Sequence, residues 1–94
     1  MSYELRFREE ALKEWRKLDD SVRSQFKKKL VEVLDSPLRP AAQLTGSNCR
    51  YKIKLRSAGF RLVYEVRDKE LVVIVIAVGK RDRNDVYLKA NRRQ

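Results

Sequence analysis

Histidine is absent from this sequence, cysteine occurs once, and glycine and proline occur only three times and twice in 94 residues. Each scarcity excludes something. Without histidine, the imidazole pair that many ribonucleases use as general acid and base cannot exist. The single Cys49 forms neither an internal disulfide nor a zinc cage. No cluster of Cys, His, Asp or Glu is spaced as metal ligands, which counts against a two-metal nuclease and leads us to expect no metal and no cofactor. The longest mostly apolar run, Leu71 to Val78, is far too short to span a bilayer. Met1 to Glu10 is charged and lacks the apolar core of a secretion signal, so a soluble, cytoplasmic chain with no membrane partner is expected. No repeat or low-complexity tract appears. The length fits one domain, residues 1–94, with a single modest core that buries about two-thirds of the unfolded surface.

What is present is charge, and its distribution is uneven. Charged residues make up 38% of the chain and the net charge is +10. Residues 1–48 carry 10 Lys/Arg against 8 Asp/Glu, or +2, whereas residues 49–94 carry 13 against 5, or +8. A balanced first half and an anion-seeking second half point to a polyanion, most often nucleic acid. Any chemistry must then run on Lys, Arg, Tyr or scattered carboxylates.

Periodicity supplies the elements. Tyr3 to Phe7 alternates apolar and charged residues, as a short half-buried strand does. Ala11, Leu12, Trp15 and Leu18 make a helical stripe over Glu9–Leu18, and Asp19-Asp20-Ser21 breaks it, with Ser21 as the expected N-cap. A second helix runs from Val22 to Asp35 and ends before Pro37 and Pro40. Trp15 and Phe26 read as core anchors, and Lys27-Lys28-Lys29, whose side chains diverge by about 100° each, as a solvated face. After Gly46 the period becomes two: Tyr51–Arg56, a Ser57-Ala58-Gly59 turn, Phe60–Arg67, an Asp68-Lys69-Glu70 connection, and Leu71–Val78, apolar on both faces like a central strand. Gly79 to Arg83 then leaves the sheet, a short helix carries Val86, Tyr87 and Ala90, and Asn91 to Gln94 should fray. The order β-α-α-β-β-β-α describes an α+β fold with a small, largely antiparallel sheet and an N-terminal helical hairpin packed on one face, the helices being expected on that face alone.

One set of residues could carry chemistry. Alternate strand positions put Lys52, Lys54 and Arg56 in one row. Like charges two residues apart sit ~7 Å from each other and repel by about 2 kcal/mol at an effective dielectric of ~20. A bound phosphate backbone would offset that cost. Arg61 opens the next strand and Arg81 follows the last, so both could reach the row if the strands are neighbours. Tyr87, four residues after Arg83, shares its side of a helix; it either faces the row or packs its ring on the core with the hydroxyl outward.

The stretches ALKEWRKL, KKKLVEVLDSP, YKIKLRSAGFRLVYEV and VGKRDRNDVY together resemble the RelE family of toxins over nearly the whole chain. The resemblance implies a ribosome-dependent endoribonuclease that enters the decoding (A) site and cuts messenger RNA by attack of a 2′-hydroxyl on the adjacent phosphate, leaving a 2′,3′-cyclic phosphate. It implies Lys52, Lys54, Arg61, Arg81 and Tyr87 as catalytic residues, with Arg50, Arg56, Lys80 and Arg83 on RNA or ribosome. In that scheme Lys54, helped by Lys52, takes the 2′-hydroxyl proton, Arg61 holds the non-bridging oxygens, and Arg81 stabilises or protonates the leaving 5′-oxygen. Tyr87 stacks on or orients the nucleotide. Family members often have a basic residue just before the Gly46 position, where this chain has Thr45, so Arg50 is a candidate substitute for that contact. The resemblance further implies an acidic, RelB-like antitoxin partner, with operator DNA reached only indirectly through it. Two other readings fit the same residues: a ParE-like poison of DNA gyrase on the same fold, and a nucleic-acid-binding module without catalysis.

Overall fold

A computed structural model describes residues 3–46, 49–80 and 85–93. The chain runs β1 (Glu4–Phe7), α1 (Glu9–Arg16), α2 (Asp20–Asp35), a 3-10 turn at Pro40–Ala42, β2 (Arg50–Leu55), β3 (Phe60–Arg67), a 3-10 turn at Asp68–Glu70, β4 (Val72–Lys80) and α3 (Asp85–Arg92). The four strands form one sheet in the order β1-β4-β3-β2. β1 runs parallel to β4, and the β4-β3 and β3-β2 pairs are antiparallel. The expected order of elements and the apolar central strand are therefore both present. Among the described residues, no helix is long and apolar enough to cross a membrane.

The α1–α2 hairpin covers one face. Ala11 and Trp15 of α1, and Val22, Phe26, Leu30 and Val33 of α2, close over Tyr51, Ile53, Leu55, Leu62, Tyr64, Val66, Val73, Val75 and Val78. Trp15 lies between Phe7 and Phe26, with ring centroids at 5.2 and 6.2 Å. Lys27, Lys28 and Lys29 are all exposed. At the hairpin's end the buried Tyr64 hydroxyl donates to the Pro37 carbonyl at 3.1 Å and its ring stacks on Tyr51 at 5.4 Å, tying the segment after α2 to the sheet.

Several local expectations are corrected. The helices do not share one face: Val63, Ile76 and Ala77 point away from the hairpin into a second cluster with Val86 and Ala90 of α3. Strands buried on both faces carry no alternation to say which helix takes which side. The N-cap of α2 is Asp19, extended at φ −61°, ψ 152°; Ser21 already lies in the first turn. β2 closes at Leu55, so Arg56 begins the turn instead of continuing the row. β4 continues through Gly79 and Lys80 because both pair with β3. A bulge also interrupts the β3–β4 register: Val63 faces Ala77 and Tyr64 faces Val75, leaving Ile76 as the extra residue. That slip lets the adjacent Ile76 and Ala77 both point toward α3.

Tyr64→Phe removes the buried donor and leaves the Pro37 carbonyl without it. The expected loss is about 1 kcal/mol of unfolding free energy by denaturant titration, with the fold unchanged.

Candidate active site

The second face of the sheet holds the candidate residues. Arg50, Lys52 and Lys54 alternate with the core residues Tyr51, Ile53 and Leu55 and stand opposite Glu65, Val63 and Arg61 on β3. Lys54 and Arg61 are direct cross-strand partners, so their Cβ atoms lie about 5 Å apart. Lys52 is one pair further along, beside Val63. All three side chains are half-buried. α3 lies over the same face on Val63, Ile76 and Ala77.

Gly79 sets how closely α3 approaches. It pairs with Arg61, and a Cβ built on it would stand 3.1 Å from Val86 Cγ2. A Cβ there would press on Val86, which would have to give by a few tenths of an ångström. With Val86 seated against the strand, the next residue, Tyr87, comes within electrostatic reach of Arg61. Both alternatives for Tyr87 are therefore partly met: its ring packs on the Val63, Ile76 and Ala77 cluster, and it neighbours a residue of the candidate set. Burial raises the phenol above its ordinary value of 10.0, although Arg61 pulls the other way. Tyr87 is accordingly protonated, and a hydrogen-bond donor, at neutral pH.

α3 has eight residues, too few for a helix to hold itself in water, and its last turn is fixed by side chains from elsewhere. Arg50 hydrogen-bonds the Ala90 carbonyl through Nη1 and donates to the Arg93 carbonyl through Nη2 at 2.5 Å, while its Nε donates to Glu65 at 3.1 Å. With its side chain 12% exposed, Arg50 caps the helix and does not present its guanidinium to solvent. Arg93, expected to fray, is instead an anchor: Nη1 donates to Glu14 Oε1 at 2.7 Å and to the Ile76 carbonyl at 2.9 Å, and Nη2 to Glu14 Oε2 at 3.2 Å. Glu14 also accepts from Lys89 Nζ at 3.1 Å and from the Val78 amide at 3.2 Å. Burial alone would raise the Glu14 carboxyl, but the hydrogen bonds from Arg93, Val78 and Lys89 outweigh it and hold the group below its ordinary 4.5.

Glu14 was not among the residues the sequence pointed to. The signal was available: Glu14 falls three residues after Ala11 and four before Leu18, inside the buried stripe of α1. Of the remaining candidates, Arg56 is exposed in the turn, and Lys80 pairs with Phe60, on the hairpin's side of the sheet. Arg81 and Arg83 lie outside the described residues. Among the described residues, no group of three His, Cys, Asp or Glu side chains is placed to hold a metal ion.

Comparison with known proteins bears on this face. A family model described as "ParE toxin of type II toxin-antitoxin system, parDE" matches residues 5–85. The mRNA interferase toxin RelE of Escherichia coli (strain K12) is 60% identical over 93 residues, spanning 99% of this chain and 98% of that one. Among solved structures, a free double mutant of E. coli toxin RelE superposes with a TM-score of 0.91 at 58% identity, covering 99% of this chain and 98% of its own. The intact E. coli RelBE toxin-antitoxin complex contains a chain matching at TM-score 0.84 and 61% identity, over 87% of this chain and 100% of that one.

Two outcomes follow from the geometry. Gly79→Ala pushes Val86 outward, so stability should fall by about 1 kcal/mol, and amides of residues 86–92 should exchange faster while those of β3 do not. Acid should also loosen α3. A carboxyl held below 4.5 in the folded state contributes its full stabilisation above that value and loses it as pH falls below it. Amide chemical shifts of α3 should therefore report release below pH 4.5, ahead of global unfolding.

Proposed function

The chain belongs to the RelE family of toxins, and from that premise we propose that it is the toxin of a type II toxin-antitoxin pair, an endoribonuclease cutting messenger RNA in the ribosomal A site. The observation that carries the reading is the Lys54–Arg61 pair, flanked by Lys52 and neighboured by Tyr87, on one face of the sheet. Full-length identity to an mRNA interferase favours this reading over gyrase poisoning, although the matching family model is described by the ParE name.

The proposed reaction needs three things of these residues. Lys54 in its neutral form, with Lys52 beside it, accepts the proton of the ribose 2′-hydroxyl. The 2′-oxygen then attacks the adjacent phosphorus, and the bond to the 5′-oxygen breaks. Arg61, about 5 Å from Lys54 across the pair, forks its guanidinium onto the non-bridging oxygens as their charge grows. The 5′-oxygen leaves as a hydroxyl, its proton supplied or its charge stabilised by Arg81. The products are a 2′,3′-cyclic phosphate and a free 5′-hydroxyl end. Tyr87, a protonated phenol on a packed ring, orients the nucleotide by stacking or by donating a hydrogen bond. Lysine is almost wholly protonated at neutral pH, so little of it can act as a base, and arginine is a feeble acid; much of the rate must therefore come from how the ribosome positions the RNA. Arg56, Lys80 and Arg83 are assigned to RNA or ribosome contacts outside the reacting centre. Because the RelBE complex pairs a similar chain with an antitoxin, the expected partner is an acidic RelB-like protein that neutralises this basic half in the cytoplasm.

Primer extension on a defined messenger RNA, with purified protein and with or without programmed ribosomes, tests the proposal. A single cut inside the A-site codon is expected only with ribosomes. Lys54→Arg, which keeps the charge but not the transferable proton, should retain ribosome binding and lose cleavage by about 10²-fold or more. No cut in either tube from a protein that still arrests growth would move the assignment to gyrase.

A further inference from the structure

We propose that Glu14 is a positioning residue for the cleavage reaction, acting through α3: with Arg93 and Lys89 it locks the last turn of the helix, and so fixes where Tyr87 stands beside Arg61. The inference rests on the ribonuclease reading above.

Four observations converge on it. First, β1 pairs only with Val72–Val75 of β4, and the ladder on that edge ends at the Arg8 amide on the Val75 carbonyl. Beyond it, the Ile76 carbonyl takes Arg93 and the Val78 amide takes Glu14, so two side chains continue the edge where backbone stops. Second, the same carboxylate ties three elements together: α1 carries it, β4 donates the Val78 N–H to it, and α3 with its following residue donates Lys89 and Arg93. Third, the opposite side of the helix end is held by Arg50, itself oriented by Glu65. Fourth, Val86 sits close against Gly79, where a built Cβ would lie 3.1 Å from Val86 Cγ2, tighter than an ordinary van der Waals contact. Held at Gly79 near its start and by Arg50 and Glu14 at its end, α3 can neither slide nor roll. From Tyr87 to Arg93 is about 9 Å along a helix, so the clamp works at a distance from the reacting atoms and touches no substrate.

Apolar contact alone would not fix the helix in this way. Val86 and Ala90 are small and their packing is not directional, whereas a bidentate guanidinium–carboxylate pair has one geometry.

The test is Glu14→Gln, alone and combined with Tyr87→Ala, in cleavage of messenger RNA on programmed ribosomes, with amide exchange read in parallel on the same proteins. Glutamine keeps an acceptor for Val78 but loses the charge that holds Arg93 and Lys89. The expected result is a fall in kcat of between about ten-fold and a hundred-fold, with KM for the programmed ribosome changed by less than about two-fold. Exchange of residues 86–92 should quicken while β3 and β4 stay protected. In the Tyr87→Ala background, which lacks both the ring and the hydroxyl, Glu14→Gln should cost much less, because both changes remove the same contribution. Arg93→Lys, which retains the charge but cannot fork, should fall between wild type and Arg93→Ala.

An undiminished effect of Glu14→Gln in the Tyr87→Ala background would overturn the proposal, as would unchanged exchange across α3. A general loss of protection throughout the sheet would assign Glu14 to folding alone and overturn it equally. If the unsubstituted protein does not cut on ribosomes, the ribonuclease reading fails, and the exchange arm still decides whether Glu14 locks α3.

Discussion

The four-residue length of β1 is the constraint from which much of this molecule follows. A central strand as apolar as β4 must have both edges satisfied, and β1 covers its edge only as far as Val75. The chain turns into α1 immediately afterwards, which carries Glu14 to the uncovered stretch. The carboxylate accepts the Val78 amide and, being charged and half-desolvated, needs cations of its own. Arg93 and Lys89 meet that need, and Arg93 closes the Ile76 carbonyl at the same time. An unfinished sheet edge on one side of the domain is thus what fixes the C-terminal helix on the other.

The bulge at Ile76 belongs to the same arrangement. A regular strand would have alternated Ile76 and Ala77 between the two faces. With the slip, both lie under α3, and Val78 returns to the hairpin core. Two small hydrophobic clusters result, and the smaller has Val63, Ile76, Ala77, Val86 and Ala90 as its buried members among the described residues. A helix of eight residues on so small an apolar seat depends on directional contacts. Those contacts hold α3 beside the β2 row of Lys52 and Lys54, the row proposed to meet RNA.

Much of this was legible in the residues, and the boundary of legibility has a physical meaning. Period two over Tyr51–Leu55 and the apolar run at Leu71–Val78 identified the strands, because each pattern reflects a local relation between neighbours and one buried surface. The stripe of Ala11, Trp15 and Leu18 placed α1, and Trp15 and Phe26 were correctly read as core. Lys54 and Arg61 could be grouped because a turn of known length joins their strands. What failed was long-range. Arg93 looked like a fraying tail residue since its partner is 79 positions away. The face taken by α3 could not be read from strands that are apolar on both sides. The N-cap shifted by two residues to Asp19 because three capping residues stand in a row there.

The charge count, too, combined two kinds of cation. The +8 of residues 49–94 suggested one continuous anion-seeking surface. Arg50, Lys89 and Arg93 are engaged inside the fold, with Glu65 and with a glutamate from the first half of the chain. Arg67 also pairs with Glu65. The basic half therefore serves two purposes that composition alone cannot separate: some cations hold the helix that frames the site, and others line it. Arginine suits the first task because its planar fork can satisfy a carboxylate and a carbonyl together. The proton acceptor proposed at Lys52 and Lys54 asks instead for lysine, whose ammonium can be deprotonated to accept a proton where a guanidinium cannot.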